Sequence, residues 1–124
     1  MRDIDASGEA RVFDFEGAMD RLSGRSAYLE RVVKRFLDDS PAQFEELARA
    51  LENRSFPEAQ RIAHGLNGAS AMIGAARLGR QALALESALK APHLDGLASL
   101  HRDLIVEFES FKSEIAAFAW PPRS

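Results

Sequence analysis

The chain has 124 residues, 46% of them hydrophobic and 28% charged, with a formal net charge of −3. This is one domain, long enough to bury a single continuous core, and its acidic balance gives no sequence-independent attraction to nucleic acid or to an anionic membrane. The absence of cysteine removes disulfides, thiolate metal sites and cysteine nucleophiles together. The start Met1-Arg2-Asp3-Ile4-Asp5 lacks the apolar stretch of a signal peptide, and no apolar run approaches the ~20 residues of a membrane span. A soluble, cytoplasmic protein is the expectation.

In chain order the pattern is helical. Residues 1–12 read as a flexible leader rich in charge and small residues. Asp14 caps a short helix running to about Leu22, ended by Ser23-Gly24. Ser26 caps a longer one carrying Leu29, Val32, Val33 and Phe36. Ser40-Pro41-Ala42-Gln43 reads as a fresh start with Ser40 as N-cap, or as a kink in one continuous helix. Ser55-Phe56-Pro57-Glu58 is a capping-box pattern that opens the next helix, and Gly74 closes it. A helix over about Ala75–Lys90 keeps Leu78, Ala82, Leu85 and Leu89 on one face. Ala91-Pro92-His93 breaks it, Asp95 caps the last helix, and Pro121-Pro122 stops that one after a stripe of Leu97, Leu104, Phe108, Phe111, Ile115 and Phe118. No strand-like alternation bounded by hairpin turns occurs. The fold expected is all-α: an antiparallel up-down four-helix bundle over residues 13–120, with a short additional N-terminal helix and a tail at 121–124.

The segment Ile62-Ala63-His64-Gly65-Leu66-Asn67-Gly68-Ala69-Ser70 conflicts with helix propensity, since each mid-helix Gly costs roughly 0.8–1 kcal/mol relative to Ala. With Ile62 at zero and ~100° per residue, Leu66, Ala69 and Ile73 fall within ~40° of it, while His64 sits ~200° away. The imidazole therefore points outward. A neutral imidazole offers a nitrogen lone pair to an electrophile without a dedicated general base. Gly68 at ~240° and Ala71 at ~180° are small and leave the ring open to close approach. Gln60 at ~160°, Asn67 at ~140° and Arg61 at ~260° edge it with hydrogen-bond donors and one cation, a setting that suits phosphate.

A lone surface histidine is more often only a solvated residue, and Gly65, at ~300°, reads equally well as a site of close helix packing. Ser70 reads as bonding back to the Leu66 carbonyl. His93 falls in a loop, and His101 falls on the last helix's apolar stripe as a partly buried imidazole. No metal site is expected: there is no Glu-x-x-His pair, and the three histidines do not converge by helical spacing. A P-loop, a Gly-x-Ser-x-Gly elbow and a dinucleotide fingerprint are also missing from the sequence.

The stretch His64-Gly-Leu66-Asn-Gly68-Ala-Ser70, followed by Gly74-Ala75, Leu78 and Leu85-Glu86, resembles the histidine-containing phosphotransfer (HPt) domain of bacterial phosphorelays. Phe13-Asp14, Ala18, Leu22 and Gly24 resemble that family's opening helix. The resemblance implies a carrier rather than an enzyme. His64 would take a phosphoryl group from the aspartyl phosphate of one response-regulator receiver domain and pass it to another, with a hybrid histidine kinase as a further partner. Mg²⁺ would belong to the receiver, and the chain would hold no cofactor and act as a monomer. Gln60, Arg61, Asn67, Gly68 and Ala71 would form the surface around the phosphoacceptor. The family commonly has lysine where this chain has Asn67, and Arg61, one turn earlier, is the nearest substitute cation in sequence. Two other readings stand beside this one. The first is an HPt-like adaptor that docks a receiver or kinase without carrying phosphate. The second, ranked last because Gly65 replaces the usual acidic residue, is the dimerisation domain of a sensor kinase.

Overall fold

The structure, a computed structural model, describes residues 9–91 and 94–122, with the side chains of Leu94 and Asp95 outside the description. Five helices follow in order: α1 (Phe15–Arg21), α2 (Ser26–Glu52), α3 (Phe56–Met72), α4 (Ala76–Leu89) and α5 (Leu94–Ala117). There is no strand among the described residues. Short connections set α2 to α5 antiparallel in sequence order, as α2 packs on α3, α3 on α4 and α4 on α5. The ring is closed by aromatic contacts from α2 to α5: Phe36 lies edge-on to Phe108 and Phe111, and Phe44 lies 4.7 Å from Phe108 between centroids. Leu29, Val33, Leu47, Leu66, Leu78, Leu85, Leu104 and Phe111 are fully buried along the axis.

The helix ends show which local signals govern. Asp14 caps α1, its carboxylate accepting from the Gly17 N–H at 3.1 Å, and Ser23 and Gly24 leave the helix at φ 63° and 73°. The expected caps on α2 do not form, and the one on α3 forms without its side-chain bond. Arg25 is the N-cap of α2, and Ser26 is its buried first residue. Ser40 is no cap either: α2 continues through Pro41 as the one continuous helix of the alternative reading, and the Ser40 hydroxyl donates to the Phe36 carbonyl at 2.6 Å. The apolar stripe of α2 continues across Pro41 to Leu47, so burial outweighs the one lost N–H. Ser55 is the N-cap of α3, but its side chain makes no capping bond, and Glu58 turns to Arg61 instead of closing the box. Leu94, not Asp95, begins α5, and Pro92 and His93 lie outside the described residues. The last helix ends at Ala117, before the prolines. From there Phe118 and Trp120 fold back onto Phe13 and Phe15, with centroids 4.8–6.1 Å apart across this cluster.

The α3–α4 turn is where the N-terminal segment is anchored. Ile73 is the C-cap of α3 and Gly74 follows at φ +80°. The Ala75 N–H bonds the Ser70 carbonyl at 2.9 Å and the Gly74 N–H bonds Ala71 at 3.5 Å, the paired bonds of a Schellman turn. The Asp14 N–H donates to the Gly74 carbonyl at 2.7 Å, the Arg77 N–H to the Arg11 carbonyl at 3.0 Å, and Arg21 Nε to the Met72 carbonyl at 3.3 Å. Within the segment read as a leader, Ala10 is buried.

Gly74 is constrained twice, by its left-handed φ and because a Cβ there would run into the Asp14 carbonyl. Gly74→Ala should cost at least ~2 kcal/mol, the left-handed penalty of ~1–2 kcal/mol plus displacement of the α1 segment; urea denaturation measures it. His101 is half-buried on α5, and its burial lowers its pKa below the ordinary imidazole value of 6.5. A histidine with a lowered folded-state pKa takes up its proton more readily unfolded. Stability should therefore fall as pH drops from about 6.5 through that lower value. His101→Gln should flatten that part of the stability–pH curve.

Candidate functional site

Packing on α2 and α4 buries Ala59, Ile62, Ala63, Leu66 and Ser70 of α3 and turns the opposite side to solvent. His64 stands on that side with its side chain 74% exposed, yet the ring is not loose. Its Nδ1 lies 2.9 Å from Oε2 of Glu86 on α4, a carboxylate only 12% exposed. A carboxylate accepts and does not donate, so Nδ1 carries a ring hydrogen, and in the neutral ring that leaves the lone pair on Nε2. The other Glu86 oxygen, Oε1, is buried without a hydrogen-bond partner among the described residues. A buried carboxylate with so few partners holds on to the one N–H it has. The result is a fixed imidazole with an unencumbered nucleophilic nitrogen.

The flanking residues divide between two grooves. Asn67, half-buried, lines the groove on the α1–α4 side with Ala71, Arg80 and Leu83. Arg61 lines the other, on the α2 side, with Gly65 and Met72, and its guanidinium pairs with Glu58. Arg61 and Asn67 thus stand on opposite sides of His64. Gln60 is half-buried, while Gly68 and Ala71 are exposed. Each groove carries one exposed apolar side chain, Leu83 (49%) and Met72 (52%).

The glycines separate by purpose. A Cβ on Gly65 or Gly68 would meet nothing within 4 Å. The packing role considered for Gly65 is therefore not what the structure shows. Close approach of α3 and α4 occurs instead at Gly79, where a Cβ would lie 3.4 Å from the Ser70 Cβ and 3.5 Å from Asn67 Oδ1. Ser70 is buried against it, and its hydroxyl makes no hydrogen bond, so the expected back-bond to Leu66 does not form. No group of three or more His, Asp or Glu side chains able to hold a metal ion occurs among the described residues. None of the described helices is long and apolar enough to cross a membrane.

Glu86 is the contact of His64 that spacing did not assign. The available signal was its place on α4, ~80° from Leu78 and ~20° from Gly79, which puts a carboxylate at the edge of the buried stripe, where charge is costly without a partner. The partner is His64.

The chain matches the family model for the Hpt domain over residues 31–118, from within α2 through α5. Among solved structures it is similar to the HPT domain of a sensor hybrid histidine kinase from Shewanella, at 23% identity and a TM-score of 0.73, covering 85% of this chain and 91% of that one. No curated protein matches it. The chain belongs to the Hpt domain family, whose members are carrier modules for phosphoryl groups in two-component phosphorelays.

Proposed function

We propose that His64 accepts a phosphoryl group from the aspartyl phosphate of a receiver domain and passes it to the aspartate of another. The observation that carries this reading is the Nδ1–Glu86 contact beneath an exposed Nε2. Attack by the Nε2 lone pair forms the N–P bond as the acyl O–P bond breaks, and the aspartate leaves with that electron pair. The ring, still bearing its Nδ1 hydrogen, becomes positively charged, and Glu86 faces that charge directly. The carboxylate thus both fixes the tautomer and stabilises the charge that develops on transfer. Onward transfer reverses these steps on a second aspartate. The receiver contributes Mg²⁺ and most of the stabilisation of the phosphoryl group in flight, and the chain adds no cofactor, nucleotide site or hydrolytic step of its own.

Docking takes place over Gly68 and Ala71 with Leu83 and Met72 to either side. An interface under about 1,200 Å² fits a surface that must release two partners in turn. Two glycines with open space around them cost α3 stability without aiding its packing. A surface kept clear for a partner accounts for that cost at Gly68.

Incubation with a phosphorylated receiver should label the wild-type chain and leave His64→Gln unlabelled. Binding without label on either chain would instead establish the adaptor reading. Glu86→Gln keeps an acceptor beside Nδ1 but removes the charge. Weakening a charge-assisted hydrogen bond of about 1.5–3 kcal/mol to a neutral one about half as strong should slow transfer about 3- to 12-fold, read by rapid-quench labelling. Gly68→Gln should raise the denaturation midpoint, since it removes a helix-interior glycine worth roughly 0.5–1 kcal/mol, while weakening receiver-dependent labelling.

A further inference from the structure

Phosphorylation would place about two negative charges on Nε2, directly above the buried Glu86 carboxylate and near the C-terminal end of α4, whose terminal carbonyls are also negative. That arrangement calls for a cation. Asn67 is neutral, and Arg61 stands in the α2-side groove with its guanidinium on Glu58. The antiparallel register that sets His64 against Glu86 brings two other residues level with each other: Gln60, one turn earlier on α3, and Lys90, one turn later on α4. Lys90 is the C-cap of α4 and retains helical backbone angles, φ −70° and ψ −29°. Its amide bonds the Ser87 carbonyl at 3.3 Å, the tightened last turn of a helix, which sets Lys90 one turn beyond Glu86 and close to its face. Side chains on a helix lean toward its N-terminus, so a flexible stem at position 90 is directed back along α4, toward the turn that carries Glu86. Lys90 is exposed and pairs with no carboxylate among the described residues.

On the reading that His64 carries phosphate, we propose that Lys90 is the phosphoryl-binding cation of this chain, reaching from α4 to the group on Nε2 in the role that a neutral residue at position 67 leaves open. The ammonium balances the phosphoryl oxygens while Glu86 balances the ring.

Phosphorus NMR of the chain labelled with potassium phosphoramidate tests this without any receiver. The pH at which the bound phosphoryl group gains its proton should rise in Lys90→Ala by a few tenths of a unit, about the strength of an exposed charge pair. It should stay at the wild-type value in Lys90→Arg and in Arg61→Ala. Adding Asn67→Lys to Lys90→Ala should bring it back down, and high salt should erase the differences. An unchanged titration in Lys90→Ala, or an equal shift in Arg61→Ala, would overturn the assignment. Failure of phosphorylated receivers to label a chain that phosphoramidate does label would count against the relay alone. Failure of phosphoramidate to label His64 at all would remove both.

Discussion

The register between α3 and α4 is the constraint on which the site depends. A nucleophilic nitrogen must be exposed, and the opposite ring nitrogen must meet a carboxylate that water does not compete for. Neither helix provides this alone. His64 lies ten residues before Gly74 and Glu86 twelve residues after it, ~15 and ~18 Å from the turn along the two helices. A slip of one residue rotates a side chain by ~100° and would take Glu86 off the ring. The Schellman turn at Gly74 fixes where α3 stops and α4 starts, and Gly79 lets the two axes close together. The Asp14 and Arg11 backbone bonds then brace that turn from outside. A hairpin fixed at its closed end and tight along its length delivers the 2.9 Å contact at its far end.

Four glycines of this hairpin divide into two physical kinds. Gly74 and Gly79 serve the fold: one adopts a left-handed φ against another backbone, and the other lies beneath Ser70 and Asn67. Gly65 and Gly68 have open space around the missing Cβ and only weaken the helix that carries them. The core of α3 offsets that weakness, with Ile62, Ala63 and Leu66 buried on its other side. The site thus rests on a helix whose inner face is strongly held and whose outer face is left bare.

Much of this was legible in the sequence because it follows from periodicity and from glycine. The order of helices, the end of α1 at Ser23-Gly24 and the turn at Gly74 rest on residues whose backbone preference has few competitors. The serine signals at 26 and 40 mislead, while the one at 55 marks the start of α3 without making its capping bond. A serine hydroxyl satisfies itself almost equally well as a cap, as a bond back to a helical carbonyl as at Ser40, or in a buried first turn as at Ser26. Tertiary burial chooses among these, and short patterns do not contain it. Pro41 shows the same limit, because a long apolar stripe carried α2 past a residue that ends most helices. In the site, the outward face of His64 followed from an angular count within one helix. The role of Glu86 needed the register between two, which no single-helix count supplies.

That distinction bears on how charge is arranged here. A count along α3 alone finds Arg61 one turn from the histidine and treats it as the natural cation. In three dimensions Arg61 belongs to the α2 groove and to Glu58, while the space above the ring is bordered by α4. The groups that matter to an anion on Nε2 are therefore those one helical turn from Glu86, not those one turn from His64. A neutral residue at position 67 does not by itself leave an acidic site uncompensated, because α4 supplies both signs: a buried carboxylate under the ring and an exposed ammonium one turn beyond it. Such a division suits a carrier. The buried charge is fixed and holds the neutral His64 ring in one tautomer. On the proposed reading the exposed charge, on its flexible stem, follows the phosphoryl group as it arrives and leaves.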